Sequence, residues 1–379
     1  MVTAANDLTS QKLRNVAPAV GLILVICVAS RMLCLLGLYL RAHQLGLPVG
    51  SLVTKFDGAY YQAIATSGYP HVLPVSHGEV VKNPVAFFPL FPLLVKAVMW
   101  VTGLGFAGAA ILFNTIAAGV AALLIAEVVK QHDDERTATI TAILWLVWPI
   151  AFVLTLAYSE ALFIALAAGC LLALFRQNWI AAGVLAALAG ATRPNGLILA
   201  LCCAVAAVTA FRQDRQLRSF IAPVIAPIGT LAYFAWLWNR TGRTTAWFTT
   251  ESQGWQVYFD GGIHNAEKIG SYLHQGRADG LGVVLFTVVL TVLLVMLYVD
   301  KAHPLLLVYA TGIFVLAITT RNDFSSIPRF LYSAFPLMMP IGSRLQNVKW
   351  YLLAGLLASS AVVMAGLAIY ITTRSHYPP

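Results

Sequence analysis

The sequence predicts an all-α integral membrane protein, a multi-pass bundle of about eleven transmembrane helices, and three observations predict it. Of 379 residues, 59% are hydrophobic and only 10% charged, whereas a soluble domain carries roughly 25% charged residues. Mean hydropathy is +0.79, more apolar surface than a water-soluble core of this length can hide. Runs of roughly twenty apolar residues recur, the length a helix needs to cross about 30 Å of hydrocarbon, while the alternating ten-residue strands of a membrane barrel are absent.

In chain order the apolar runs are 16–40, 106–129, 138–156, 160–175, 179–193, 196–211, 219–239, 281–299, 304–320, 330–343 and 350–372. The first fifteen residues are polar, with Lys12 and Arg14 ahead of a full-length span and no small-residue cleavage site. They read as the start of an uncleaved first helix. A further run, 85–103, opens on Phe87, Phe88, Pro89, Phe91 and Pro92 and contains Lys96; its prolines suit a helix lying at the interface or dipping in. With 85–103 kept on one side, Lys12, Arg14, Lys130, Arg136, Arg176, Arg212, Arg215, Arg218, Lys301, Arg344 and Lys349 fall on the other. Short basic loops face the cytoplasm. The N-terminus is therefore expected inside, and two long loops, 41–105 and 240–280, outside with the C-terminal tail. The whole chain, 1–379, reads as a single transmembrane domain.

Several classes are excluded. The net charge of +9 is spread over many short loops, which fits lipid headgroups and topology, not a clustered nucleic-acid surface. Cys27, Cys34, Cys170, Cys202 and Cys203 lie inside apolar runs without C-x-x-C spacing and read as small core residues. The eight histidines are scattered, without i, i+4 pairs. No D-x-D pair, Walker loop or helix-opening G-x-G-x-x-G occurs, which argues against a nucleotide-sugar enzyme or an ATP-driven pump; no metal or other cofactor is expected. A transporter would place ionisable groups at mid-depth and show internal repeats. Only Arg31 falls mid-helix, and there it must face a partner or the bundle interior.

Nearly all the unusual chemistry collects on the outer side. Asp57 opens a short amphipathic helix on which Tyr60, Ile64 and Ser67 share a face, with Tyr61 beside it, and which Gly68 stops. Asp57 reads either as a cap for the first turn or as a base for an acceptor hydroxyl. Arg193, Arg321 and Arg329 read either as headgroup anchors or as holders of a leaving phosphate. Glu160, after Tyr158 and Ser159, is either a helix cap or a second carboxylate of the site. Asn195 and Gly196 form a tight turn after Arg193 and Pro194. The loop with Trp247, Phe248, Trp255, Tyr258 and Phe259 either stacks on a sugar or lies among headgroups.

Four segments then align in order and spacing with a known pattern: Phe56-Asp57-Gly58 through Gly68-Tyr69, Ala86-Phe87-Phe88-Pro89-Leu90-Phe91-Pro92, Ala157-Tyr158-Ser159-Glu160-Ala161-Leu162-Phe163 and Ala191-Thr192-Arg193-Pro194-Asn195-Gly196-Leu197. Over about residues 30–200 the chain resembles the PIG-V family, the second mannosyltransferases of GPI-anchor synthesis and their bacterial relatives. Past residue 200 the likeness is limited to the Trp-rich loop and Ile327-Pro328-Arg329-Phe330. The chain has Phe56 where the family usually has Trp, and Pro194 where it often has Ser.

The resemblance implies a GT-C fold and an inverting mannosyltransferase that uses a polyprenyl-phosphate-mannose donor. Asp57 would be the catalytic base. The candidate substrate-binding residues, taken from both readings together, are Glu160, Tyr158, Arg193, Asn195, Arg329, Arg321, Tyr61 and Phe88. The Ala-rich, Lys-poor composition points to a bacterium with a GC-rich genome, so the expected acceptor is an envelope glycolipid, a polysaccharide or a protein. The expected site is the outer face of the plasma membrane, with membrane lipids and a possible protein subunit as partners. The motifs do not read the hexose, so another lipid-linked sugar stays open. The alternative from a different class is a flippase or a non-catalytic subunit that binds a lipid-linked sugar.

Overall fold

The structure is a computed structural model that describes residues 2–276 and 278–374. The tail beyond 374, expected outside, lies outside the described residues, as do the side chains of Lys12 and Arg14. Among the described residues six helices are long and apolar enough to cross a membrane: Pro18–Leu45, Phe106–Val129, Gly196–Asp214, Leu217–Thr241, Gly280–Val299 and Trp350–Thr373. Four shorter apolar helices, Leu90–Thr102, Glu160–Phe175, Trp179–Gly190 and Pro304–Thr319, pack among them. The chain is a multi-pass helical bundle, as its composition requires.

The helices that matter below are α1 (Val2–Leu45), α2 (Asp57–Ser67), α3 (Leu90–Thr102), α4 (Phe106–Val129), α5 (Glu135–Val147), α6 (Glu160–Phe175), α7 (Trp179–Gly190), α8 (Gly196–Asp214), α9 (Ile228–Thr241), α10 (Pro304–Thr319), α11 (Ile327–Tyr332) and α12 (Trp350–Thr373). Small residues let the central ones approach closely. Ala117, Ala118, Ala121 and Ala122 of α4 and Ala161, Ala165 and Ala168 of α6 are buried. All five cysteines are buried and free. Run 85–103 folds into α3, of 13 residues, about 20 Å at 1.5 Å per residue.

Three of the eleven runs are not single helices; 219–239 is interrupted at Ala226–Pro227, between Ile221–Ile225 and α9, and two others break as follows. Run 138–156 breaks at Pro149, which lacks an N–H and keeps Trp148 extended; a 3-10 turn, Pro149–Leu154, follows α5. Run 330–343 divides into the end of α11, a 3-10 turn at Phe335–Met338 and a helix at Met339–Leu345, interrupted by Pro336 and Pro340. Irregular backbone at membrane depth survives only where protein groups satisfy its polar atoms, and here they do. Arg31 of α1 donates to the carbonyls of Ala151 at 2.5 Å and Leu146 at 2.7 Å. Ser360 of α12 donates to Val147 O, and Tyr332 to Trp145 O, each at 2.7 Å. Asn114 of α4 donates to Leu156 O at 2.7 Å and Tyr158 O at 2.9 Å, and Tyr309 of α10 donates to Ser333 O at 2.9 Å. The mid-membrane charge of Arg31 is thus explained: it completes a broken helix end.

The short connections and the long loops make separate sets of contacts. At one end Lys130 and Arg176 pair with Glu127 at 3.1 and 3.6 Å, Arg344 pairs with Asp300 at 2.7 Å, and His132 stacks on His303 at 4.9 Å. These belong to the short connections. The long loops gather at the other end.

Candidate active site

Four separate elements deliver four charged side chains to one place. Asp57 sits in the first turn of α2, following Phe56, whose φ of 58° and ψ of −119° are strained for a residue with a Cβ. Its carboxylate does not cap the helix; it accepts a hydrogen bond from Arg329 Nη1 at 2.6 Å. Glu160 begins α6 immediately after the buried, irregular segment 148–159. This segment is tied to the Asp57 loop by Ala157 N donating to Val53 O at 3.0 Å. Arg193 stands in the tight turn between α7 and α8. That turn needs glycine at 196, because a Cβ there would lie 2.3 Å from Gly190 N. Arg329 projects from α11.

Glu160 is the pivot. Its Oε1 lies 2.5 Å from Arg193 Nη1 and 3.6 Å from Arg329 Nε, so one carboxylate, 1% exposed, bridges two guanidiniums. Arg193 also approaches Ser159 Oγ at 3.5 Å, and Ser159 in turn shares a 2.9 Å hydrogen bond with Tyr61. The arginines are held in plane by rings: Arg329 lies over Tyr158 at 5.1 Å and Phe330 at 5.0 Å, and Arg193 lies over Phe330 at 5.7 Å. Two carboxylates and two guanidiniums make the network neutral, which is how four charges persist in so apolar a chain.

The two long loops pack on each other and on α2. Val80 N donates to Gln253 Oε1 at 3.0 Å, and Trp247 Nε1 donates to Ala86 O at 3.2 Å. Trp255 meets Tyr60 edge-on at 4.9 Å and Phe87 at 5.4 Å. Gly254 comes so near Val81 that a Cβ would stand 2.9 Å from its carbonyl. Of the two readings of the aromatic loop, Trp247 and Trp255 therefore pack on the first long loop, while Phe248 and Phe259 remain exposed.

Asp57, Glu160, Tyr158, Arg193, Arg329 and Tyr61 thus come together as a group. Three other candidates stand apart from these contacts. Arg321 donates to Tyr258 at 2.6 Å and lies over its ring, within the short pairing of Tyr258–Phe259 with Thr320–Arg321. Phe88 is buried against Tyr233 and Trp247. Asn195 begins α8 without capping it. Among the described residues no three His, Cys, Asp or Glu side chains converge as metal ligands would.

One residue escaped the sequence reading. Glu251 lies in the first turn of a wide helical segment, Thr250–Trp255, in the second long loop. Burial, reinforced by the negative charge of Asp57, pushes its carboxyl up to about 8. Its sequence signal is slight: it is the one acid between Arg240 and Phe259.

No protein-family model and no curated protein sequence matches the chain. Its backbone nevertheless superposes on solved structures. ArnT from Cupriavidus metallidurans bound to undecaprenyl phosphate is similar with a TM-score of 0.55 at 12% identity, over 93% of this chain and 76% of that one. The same protein in the apo state gives 0.51 at 15% identity, over 87% and 62%. The oligosaccharyltransferase of Archaeoglobus fulgidus in the apo form gives 0.53 at 12%, over 94% of this chain but only 56% of that one. The chain therefore shares its overall helical fold with these structures.

Proposed function

We propose that this chain is an inverting, metal-independent mannosyltransferase of the PIG-V type, moving mannose from polyprenyl-phosphate mannose to an extracytoplasmic glycolipid, polysaccharide or protein. The observation that carries the reading is the neutral network of Asp57, Arg329, Glu160 and Arg193, with the second long loop packed on the helix that carries Asp57. ArnT, a structural neighbour, is recorded with undecaprenyl phosphate bound, which supports a lipid-phosphate donor for this fold. The same reading puts the site on the outer face of the plasma membrane and the N-terminus in the cytoplasm.

The chemistry follows from charge balance. Asp57 takes the proton of the acceptor hydroxyl as its oxygen bonds to C1 of the sugar, on the face opposite the phosphate. The bond from C1 to the phosphate oxygen breaks, and the electron pair leaves with the polyprenyl phosphate. Asp57 gives up one negative charge as the phosphate gains one. Arg329, which holds Asp57 at 2.6 Å, is placed to follow that charge, with Arg193 beside it. Positioned cations of this kind stabilise the transition state without reorganising. Glu160 keeps both guanidiniums in register, and Tyr61 and Ser159 fix the side of the cluster facing α2.

The test is reconstitution in lipid with labelled polyprenyl-phosphate mannose and a membrane-lipid extract. Label appearing in a new product supports the transferase. Donor bound without product from any acceptor fraction would instead favour a flippase or a binding subunit.

A further inference from the structure

We infer that Glu251 binds the acceptor and orients it beside Asp57, an inference that rests on the transferase reading above. Its turn is seated on the helix that carries Asp57, through the 4.9 Å contact of Trp255 with Tyr60. It is fixed from the other side by Asn83, whose Nδ2 reaches Thr250 Oγ1 at 3.4 Å, and by Lys82, whose Nζ lies 4.8 Å over the Trp255 ring. Glu251 is exposed in part as a residue while its carboxyl is turned in among its neighbours, and it forms no ion pair with any described residue. Every other carboxylate of the cluster is spoken for by an arginine. An unpaired acid placed within reach of Asp57's field, on a wall shared with half-exposed Tyr60 and Trp255, is suited to a hydroxyl-rich ligand.

The charged and titratable groups around it are Asp57 and Tyr60 from α2, Lys82 from the first long loop, and Tyr233 from α9. Asp57 is the group whose charge acts on it most. Below about pH 8 Glu251 is neutral and both donates and accepts hydrogen bonds to sugar hydroxyls. Once ionised it can only accept, and it repels both Asp57 and the incoming phosphate. Acceptor affinity should therefore fall as pH rises through that value.

The experiment uses the full chain in lipid, polyprenyl-phosphate mannose as donor and octyl mannoside as acceptor probe, with donor hydrolysis followed in parallel. For Glu251→Ala we expect acceptor KM to rise at least about tenfold, with donor binding and hydrolysis within about threefold of native, the signature of lost acceptor binding alone. For native protein we expect acceptor KM to rise about tenfold per pH unit above the ionisation, and for Glu251→Gln, which stays neutral, to match native at pH 7 and remain flat to pH 9.5. Retained donor binding certifies folding of both variants. If native protein transfers mannose while Glu251→Ala keeps its acceptor KM and Glu251→Gln keeps the native pH profile, the role of Glu251 is overturned and the transferase reading stands. If native protein neither transfers nor hydrolyses, the transferase reading falls and takes this inference with it.

Discussion

Replacing Asp57 with Asn separates a base from a structural carboxylate, because the two effects it should have run in opposite directions. The side chain keeps its size and an oxygen for Arg329, so the 2.6 Å contact has a neutral successor. The network, however, gains one net positive charge. A donor phosphate held by Arg329 would lie about 6 Å from the former carboxylate, where two unit charges interact by about 3 kcal/mol at an effective dielectric near 20. The Asp57 side chain is 18% exposed, and screening brings the usable part to about 1–1.5 kcal/mol, close to tenfold in affinity. Donor should bind about tenfold more tightly to the variant. Transfer should fall by at least about a hundredfold, since no group remains to take the acceptor proton.

Equilibrium binding of labelled donor and single-turnover product formation measure the two quantities on the same reconstituted sample. Tighter binding with slower chemistry is the expected pair. Unchanged turnover with weaker donor binding would refute the reasoning, because it would make Asp57 a group that holds the donor and nothing more.

Other perturbations test the scaffold around it. Glu160→Gln leaves Arg329 with Asp57 alone and takes the carboxylate from Arg193, and should cost about 3–5 kcal/mol. The loss should appear as a lower midpoint on heating in detergent, and adding Arg193→Met should recover part of it. Arg31→Met orphans the carbonyls of Ala151 and Leu146 at about 1–3 kcal/mol each; a midpoint equal to native would show that the break at Pro149 does not depend on Arg31. Gly196→Ala forces a methyl to within 2.3 Å of Gly190 N. It should spread α7 from α8, shift Arg193 and lower transfer about a hundredfold, as misplacement by about 1 Å can, visible as lost turnover in protein that still elutes as a single species. Glu251 holds its proton up to about pH 8 when folded, against 4.5 for the free side chain. Its contribution to stability is therefore complete below 4.5 and lost as pH rises toward 8. The heating midpoint should fall across that window, and Glu251→Gln should flatten the fall.

What the sequence disclosed and what it withheld divide along a physical line. Charges in an apolar chain are costly, so Asp57, Glu160, Arg193 and Arg329 stood out at once, and alternating loop charge placed them on one side. Helix existence was equally plain, since runs such as 106–129 and 350–372 correspond to Phe106–Val129 and Trp350–Thr373. The helix breaks were not plain. Apolar count measures partition into lipid and is blind to hydrogen bonding. A run such as 138–156 therefore reads as continuous even though Pro149 divides it and Arg31, Asn114 and Ser360 supply the missing donors from other helices.

Pairing was the other hidden quantity. Asp57 and Arg329 are 272 residues apart, and no local pattern says which distant cation a carboxylate will meet. Arg321 and Arg329 make the point most sharply. Both lie in one short connection, on one predicted side, eight residues apart, and either could have served a phosphate. What separates them is backbone. Thr320–Arg321 pairs as a strand with Tyr258–Phe259, which commits the Arg321 guanidinium to Tyr258. Pro328, fixed in φ and lacking an N–H, suits the first turn of α11 and starts the helix that turns Arg329 inward, to 4% exposure, between Asp57 and Glu160. Moving the proline should therefore matter as much as removing the arginine: Pro328→Gly, which frees that turn, should weaken donor binding while leaving Arg329 itself in the chain, and intact binding would show that α11 is held by its packing alone.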